Sequence, residues 1–329
     1  VSSRTPISAS LVPARMNAMM PESVQLSGLR SLAPMTSANS KRFNRGPKAS
    51  RRRWVSLDGP PRPCYTFATP TGRPANLPEV PMARIDAYLV AGGKWHDINY
   101  ARLELLKLLH EDEEVRVRVG EDYRDLDAIR AADFLVSYTC DVRPTEDQQD
   151  ALRDIIGGGK RWLALHATNS ALDFTPGGVN SPRCFPKFAE LLGSQFIAHP
   201  PIMPYTVTTV AAAHPLVAGI GEFEVDDELY LSEMHGSVEP LLVTHFNGEA
   251  KGFVEAEWRS DEPRVVAYLH PWGRGHVYYN TLGHCRHKYD MQAPPLNIPE
   301  YPKRELGAWA TPQFYELLRR GLKWAKGQL

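Results

Sequence analysis

Hydrophobic positions take two spacings from residue 85 onward, and the two alternate along the chain. IDAYLVAGG (85–93) is an apolar run closed by two glycines and reads as a buried strand. NYARLELLKLLH (99–110) repeats leucine at helical spacing, and EVRVRV (114–119) alternates with period two. DLDAIRAAD is a short helix leading into the strand FLVSYT (134–139). The next helix has marked ends. Thr145 stands three residues before Gln148 as a capping box, Glu146 and Asp147 fill the first turn, and Gly157-Gly158-Gly159 stops it. RWLALHATNS (161–170) is then a strand that runs into His166. Such repetition predicts an α/β fold of flavodoxin-like type, with a parallel-core sheet and helices on both faces.

Past residue 200 the strands come in closer succession. YTVTTV (205–210), EPLLVTHF (239–246), GFVEAEW (252–258), RVVAYLH (264–270) and HVYYNTLGH (276–284) read as additional antiparallel strands of the C-terminal half. Gly273-Arg274-Gly275 suits a hairpin turn. Thr311-Pro312 opens a final helix ending near Gly327.

Composition divides the chain. Residues 1–81 hold 12 prolines and 12 Lys and Arg against 3 Asp and Glu, with no sustained hydrophobic period. They read as a disordered basic extension, with the domain at 82–329. The remainder is mildly acidic, which gives it no electrostatic reason to bind nucleic acid. Residues 195–221 lack charged side chains, but Pro200, Pro201, Pro204 and Pro215 break them, so no membrane span is expected. Four scattered cysteines without a C-x-x-C pair suit a reducing, cytoplasmic compartment.

Polar groups gather where strands should end: GGKWHD (92–97), LHATNS (165–170), AHPP (198–201), DELY (227–230), EMHG (233–236) and LGHCRH (282–287). Ligands of open α/β sheets bind beyond the carboxyl ends of the strands, so these groups can share one crevice. A single histidine after a strand is commonly structural; several histidines and carboxylates at successive strand ends point to chemistry. His284-x-x-His287 could chelate a metal from suitable loop geometry, and a divalent ion is left open as a cofactor.

The ordered set LVAGGKWHD, DFLVSYT, GGGKRWLALHATNS, LLGSQFIAHPP, HPLVAGI, DELY and TLGHCRH resembles the ThuA-like (trehalose utilisation) family over roughly residues 84–327. Three positions depart from its pattern. Ala164 stands where the family often has Gly, Asn169 stands near a position that is often Asp, and Cys285 follows Gly283-His284 where Asp is frequent. The resemblance implies a fold like that of class I glutamine amidotransferases, in which the strand-to-helix elbow carries a Cys nucleophile. Here the elbow carries His166, so glutamine hydrolysis through an acyl-thiolate is not expected.

The resemblance further implies carbohydrate metabolism, with a small carbohydrate as partner and self-association left open. Chemistry on a keto-sugar or oxidised disaccharide suits the residues: proton removal beside the ketone, followed by isomerisation, glycoside elimination or hydrolysis. His166 and His284 are expected as the acid/base pair, with His199 and Glu228 orienting them. His96, Asp97, Asn169, Tyr230 and His235 are expected to bind sugar. The alternative is a non-catalytic sugar-binding or regulatory protein.

Overall fold

The computed structural model describes residues 84–292 and 294–329. The reading of residues 1–81 as an extension lies outside them.

Each predicted strand–helix unit forms. Strand β1 (Ile85–Gly93) leads to helix α1 (Ile98–Leu109), β2 (Val115–Gly120) to α2 (Leu126–Ala131), and β3 (Phe134–Cys140) to α3 (Glu146–Gly157). Strand β4 (Arg161–Leu165) ends at His166, and a 3-10 turn spans His166–Asn169. A small hairpin, β5 (Asp173–Thr175) and β6 (Gly178–Asn180), precedes α4 (Pro186–Leu192) and β7 (Ser194–Ala198). There follow β8 (Met203–Thr209), β9 (Phe223–Asp227), β10 (Leu231–Met234), β11 (Glu239–Thr244), β12 (Gly248–Glu249), β13 (Glu257–Trp258), β14 (Arg264–Trp272) and β15 (Gly275–Asn280). Helix α5 (Pro312–Ala325) closes the chain.

The main sheet has nine strands in the order β2-β1-β3-β4-β15-β14-β11-β8-β9. From β2 to β15 neighbours run parallel; from β15 to β9 they run antiparallel. The parallel part follows the flavodoxin-like order, with its topological switch between β1 and β3. Every residue of β3 is buried, as expected of a central strand covered on both faces. Alternation in β4 sends Trp162 to the core beneath α3 and α4, and Leu163 to the core beneath α1 and α5. Strand β2 forms one edge and keeps Arg116 and Arg118 exposed, which discourages pairing with another chain.

The β14–β15 hairpin forms with Gly273 at φ +58° in its turn. Two strand expectations are corrected. Of GFVEAEW only Glu257–Trp258 forms a strand; Gly252 at φ +95° turns the backbone, and Phe253 makes a single bridge to Val179. The run 276–284 leaves the sheet after Asn280, and Gly283 at φ +124° takes it through a bend.

The capping box forms on α3: Thr145 accepts from the Gln148 amide and the Gln148 side chain accepts from Thr145 N–H. Thr145→Ala should lower stability by about 1 kcal/mol. Thermal unfolding monitored at the helix signal checks this, and an unchanged midpoint would show that the cap contributes nothing.

Candidate metal centre

Four loops beyond strand ends bring one side chain each to a common point. His96 follows β1, His166 follows β4, Glu228 follows β9, and His284 follows β15 by a short loop. All four are buried, and one ligand atom from each lies within 4.8 Å of the others. His166 holds φ +46°, a left-handed conformation that histidine adopts at some cost. That backbone turns the imidazole back over the sheet end instead of along the strand. At the end of β1, Gly93 is at φ +107°, and a Cβ there would stand 1.9 Å from the Cys140 carbonyl oxygen. Only glycine lets the loop bearing His96 pass so close to β3.

Asp227, at the end of β9, pins the assembly. Its buried carboxylate accepts the N–H of Glu228 at 2.7 Å, Gly283 at 3.0 Å, His284 at 3.1 Å and Ala308 at 2.7 Å. One side chain thereby fixes the two loops that carry Glu228 and His284.

The tautomers follow from the partners, since a carbonyl can only accept. His166 Nδ1–H donates to the Thr281 carbonyl at 2.7 Å, and His96 Nδ1–H points to the Lys94 carbonyl at 3.4 Å. That leaves a lone pair on His166 Nε2, and the two Nε2 atoms lie 2.9 Å apart. Each is 3.4 Å from Glu228 Oε2. His284 Nε2 donates to Glu305 at 2.9 Å. Its Nδ1 lies 3.1 Å from Glu228 Oε1 yet makes no hydrogen bond, because the carboxylate is off the nitrogen's axis.

Charge is dense here. Burial, only partly offset by Glu228, pushes the His96 imidazole down to about 3, so it is neutral near pH 7. Burial also works against His284, but Glu228 and Glu305 outweigh it and hold its pKa up at about 9. Burial would raise Glu228, yet His284 and His199 draw it well below the usual carboxylate range. Buried Arg286 bridges Glu228 at 3.2 Å and Glu305 at 2.9 Å.

A cavity of about 350 Å³ opens over this cluster, lined at its polar end by His96, His199, Glu228, Tyr230, Arg286 and Glu305. Tyr230 Oη is 3.2 Å from His166 Nε2. His199 Nδ1–H donates to the Pro200 carbonyl at 2.7 Å, so its Nε2 is a free lone pair 3.8 Å from Glu228. Burial lowers its pKa.

The structure thus brings His96, His166, Glu228, Tyr230 and His284 together, with His199 beside them. It does not bring Asp97, Asn169 or His235 into the cavity lining. Asp97 caps α1 by accepting from Tyr100 N–H at 3.0 Å. Asn169 donates to Ser194 at 2.7 Å within the core. His235 lies past β10, its Nε2 3.8 Å from Glu233. His287 is not in the metal-competent group either: within that loop only His284 reaches it. Sequence reasoning missed three residues. Arg286 lies inside the quoted TLGHCRH run and could have been marked as a cation between acids. Asp227 opens the quoted DELY run, while Glu305 sits in a stretch without periodicity and gives no signal.

No curated protein matches the chain in sequence. Two solved structures share its fold: a ThuA-like protein from Parabacteroides merdae ATCC 43184 and one from Bacteroides uniformis ATCC 8492. The first has 15% identity and a TM-score of 0.53 over 75% of this chain and 91% of that one. The second has 15% identity and a TM-score of 0.51 over 77% and 95%. A family model described as ThuA, trehalose utilisation, matches residues 88–295, which span β1 to the loop beyond His284. The chain belongs to the ThuA family, whose description places it broadly in carbohydrate utilisation.

Proposed function

We propose that His96, His166, Glu228 and His284 hold a divalent transition-metal ion, and that the site performs proton-transfer chemistry on a keto-sugar. One observation carries the metal: one ligand atom from each of three imidazoles and a carboxylate, all buried, lies within 4.8 Å of the others. His166 Nδ1 is committed to the Thr281 carbonyl, which leaves its Nε2 for a cation. His284 Nδ1 is a third nitrogen of the group and gives up its proton when the ion binds, and Glu228 supplies the oxygen. Three imidazoles and one carboxylate suit zinc, manganese, iron, cobalt or nickel better than magnesium or calcium. Backbone carbonyls on the outer nitrogens are the usual way such ligands are oriented.

Bound there, the ion would polarise a ketone and stabilise the negative charge of an enediolate. The remaining steps belong to side chains. His199, neutral and with Nε2 free in the cavity, takes the proton from the carbon beside the ketone. Arg286 balances charge at the floor through its two carboxylate partners. The electron pair left on carbon expels the glycosidic oxygen in elimination, which leaves with a proton from Tyr230. Isomerisation results if the proton is instead returned to the former ketone carbon while the hydroxyl proton passes from the neighbouring oxygen to the former ketone oxygen.

Zinc or manganese titrated into the metal-stripped chain should bind with a stoichiometry of about one, and Glu228→Gln should weaken it at least about tenfold. Calorimetry with elemental analysis reads both. Absence of stoichiometric binding, or binding indifferent to Glu228, overturns the metal. Release of product from a 3-keto-disaccharide by the loaded chain, lost in His199→Ala, tests the chemistry separately.

A further inference from the structure

We infer that the substrate carries an apolar group, such as an aryl or alkyl aglycone, beside the part that reacts at the metal-competent cluster. The inference rests on the reading of that cluster as the reacting end. The cavity's polar side chains gather around Glu228, but much of its remaining wall is apolar: Trp95, Phe174, Val179, Phe253, Met291 and Leu296. Trp95 and Phe174 meet edge to face with ring centroids 5.1 Å apart, and Trp95, Val179 and Phe253 belong to one buried apolar cluster. Lysines 251 and 303 also border the cavity, but both are exposed and so belong to its rim.

A second pyranose ring placed against this wall would bury several hydroxyls with almost nothing to bond to. Each unsatisfied hydroxyl is costly, whereas an apolar ring of the same size gains by leaving water. Aromatic faces can stack on a sugar, but the aliphatic side chains of Val179, Met291 and Leu296 offer hydroxyls no partner.

The test uses phenyl glucoside and trehalose as probes on the full zinc-loaded chain, by calorimetry at two temperatures. Both lack the ketone, so binding is read without turnover. Phenyl glucoside should bind at least about tenfold tighter than trehalose, with the negative heat-capacity change of apolar burial. Phe253→Ala should erase the preference while zinc still binds. Ile202→Asn, at a half-buried position on the same lining, serves if the first variant fails to fold. Equal or tighter binding of trehalose overturns the inference, as does a preference untouched by the variants. Zinc titration without either sugar separates the two readings. If zinc binds and no preference is seen, only the apolar group is wrong; if zinc does not bind, the metal reading falls and takes this one with it.

Discussion

His166→Asn is expected to remove the metal-dependent rise in melting temperature while leaving a folded protein. Asn is the substitution of choice because His166 sits at φ +46°, a region that Asn tolerates and Ala does not. The wild-type chain at a metal concentration about 100 times Kd should gain about 2.7 kcal/mol, or roughly 5–10 °C for a domain of this size. Loss of a ligating nitrogen should lower metal affinity by more than about 100-fold, and the rise should vanish with it. A separate cost appears without metal. The Thr281 carbonyl loses its donor at 2.7 Å, worth about 1–3 kcal/mol in a buried setting. The two effects part cleanly in a thermal melt run with and without zinc. If His166 only props the core, the variant melts lower in both conditions but keeps its zinc-induced rise. That outcome would falsify its place in the metal centre.

The fold was legible because its signals are local. Apolar runs at 85–91, 134–139 and 161–165, the Thr145 capping box and the Thr311-Pro312 helix start each act within a few residues, and each forms. Strands β7 and β9 were not foreseen. β7 is only five residues long, and β9, at the sheet edge, is short and half polar. The site was legible in its residue types and positions more than in its roles. Histidines at successive strand ends do converge, because parallel strands must all finish on one side of the sheet. What the sequence could not tell is where each ring nitrogen points. His96 and Asp97 are neighbours, yet one imidazole turns into the cluster and the other carboxylate turns back to cap α1. That division depends on the left-handed backbone at Trp95, φ +69°, which no periodicity encodes. Glu305 enters from a loop 21 residues beyond His284, and such a long-range partner leaves no trace in local pattern.

Asp227→Asn should lower stability by about 1–3 kcal/mol and weaken metal binding about 10–100-fold, although Asp227 is not one of the four ligand residues. Its carboxylate accepts four backbone N–H groups: three from the loops that carry Glu228 and His284, and the fourth from Ala308. Asn preserves the shape but turns one oxygen into an NH₂ facing those donors. At least one N–H is then left buried without an acceptor, at about 1–3 kcal/mol, and the repelled loop must shift. Gly307 limits how far it can move. A Cβ at that position would stand 2.2 Å from the His284 carbonyl oxygen, so the loop is already packed against its neighbour. Movement of a few tenths of an ångström in the 283–284 backbone is enough to misplace His284 Nδ1. Denaturant unfolding of the metal-free protein reads the stability loss, and metal titration at a temperature where the variant is folded reads the second effect. A large stability loss with unchanged metal affinity would assign Asp227 to holding the fold alone. A fall in both, with the metal-bound variant recovering part of its stability, is the result expected of a residue that positions the ligands.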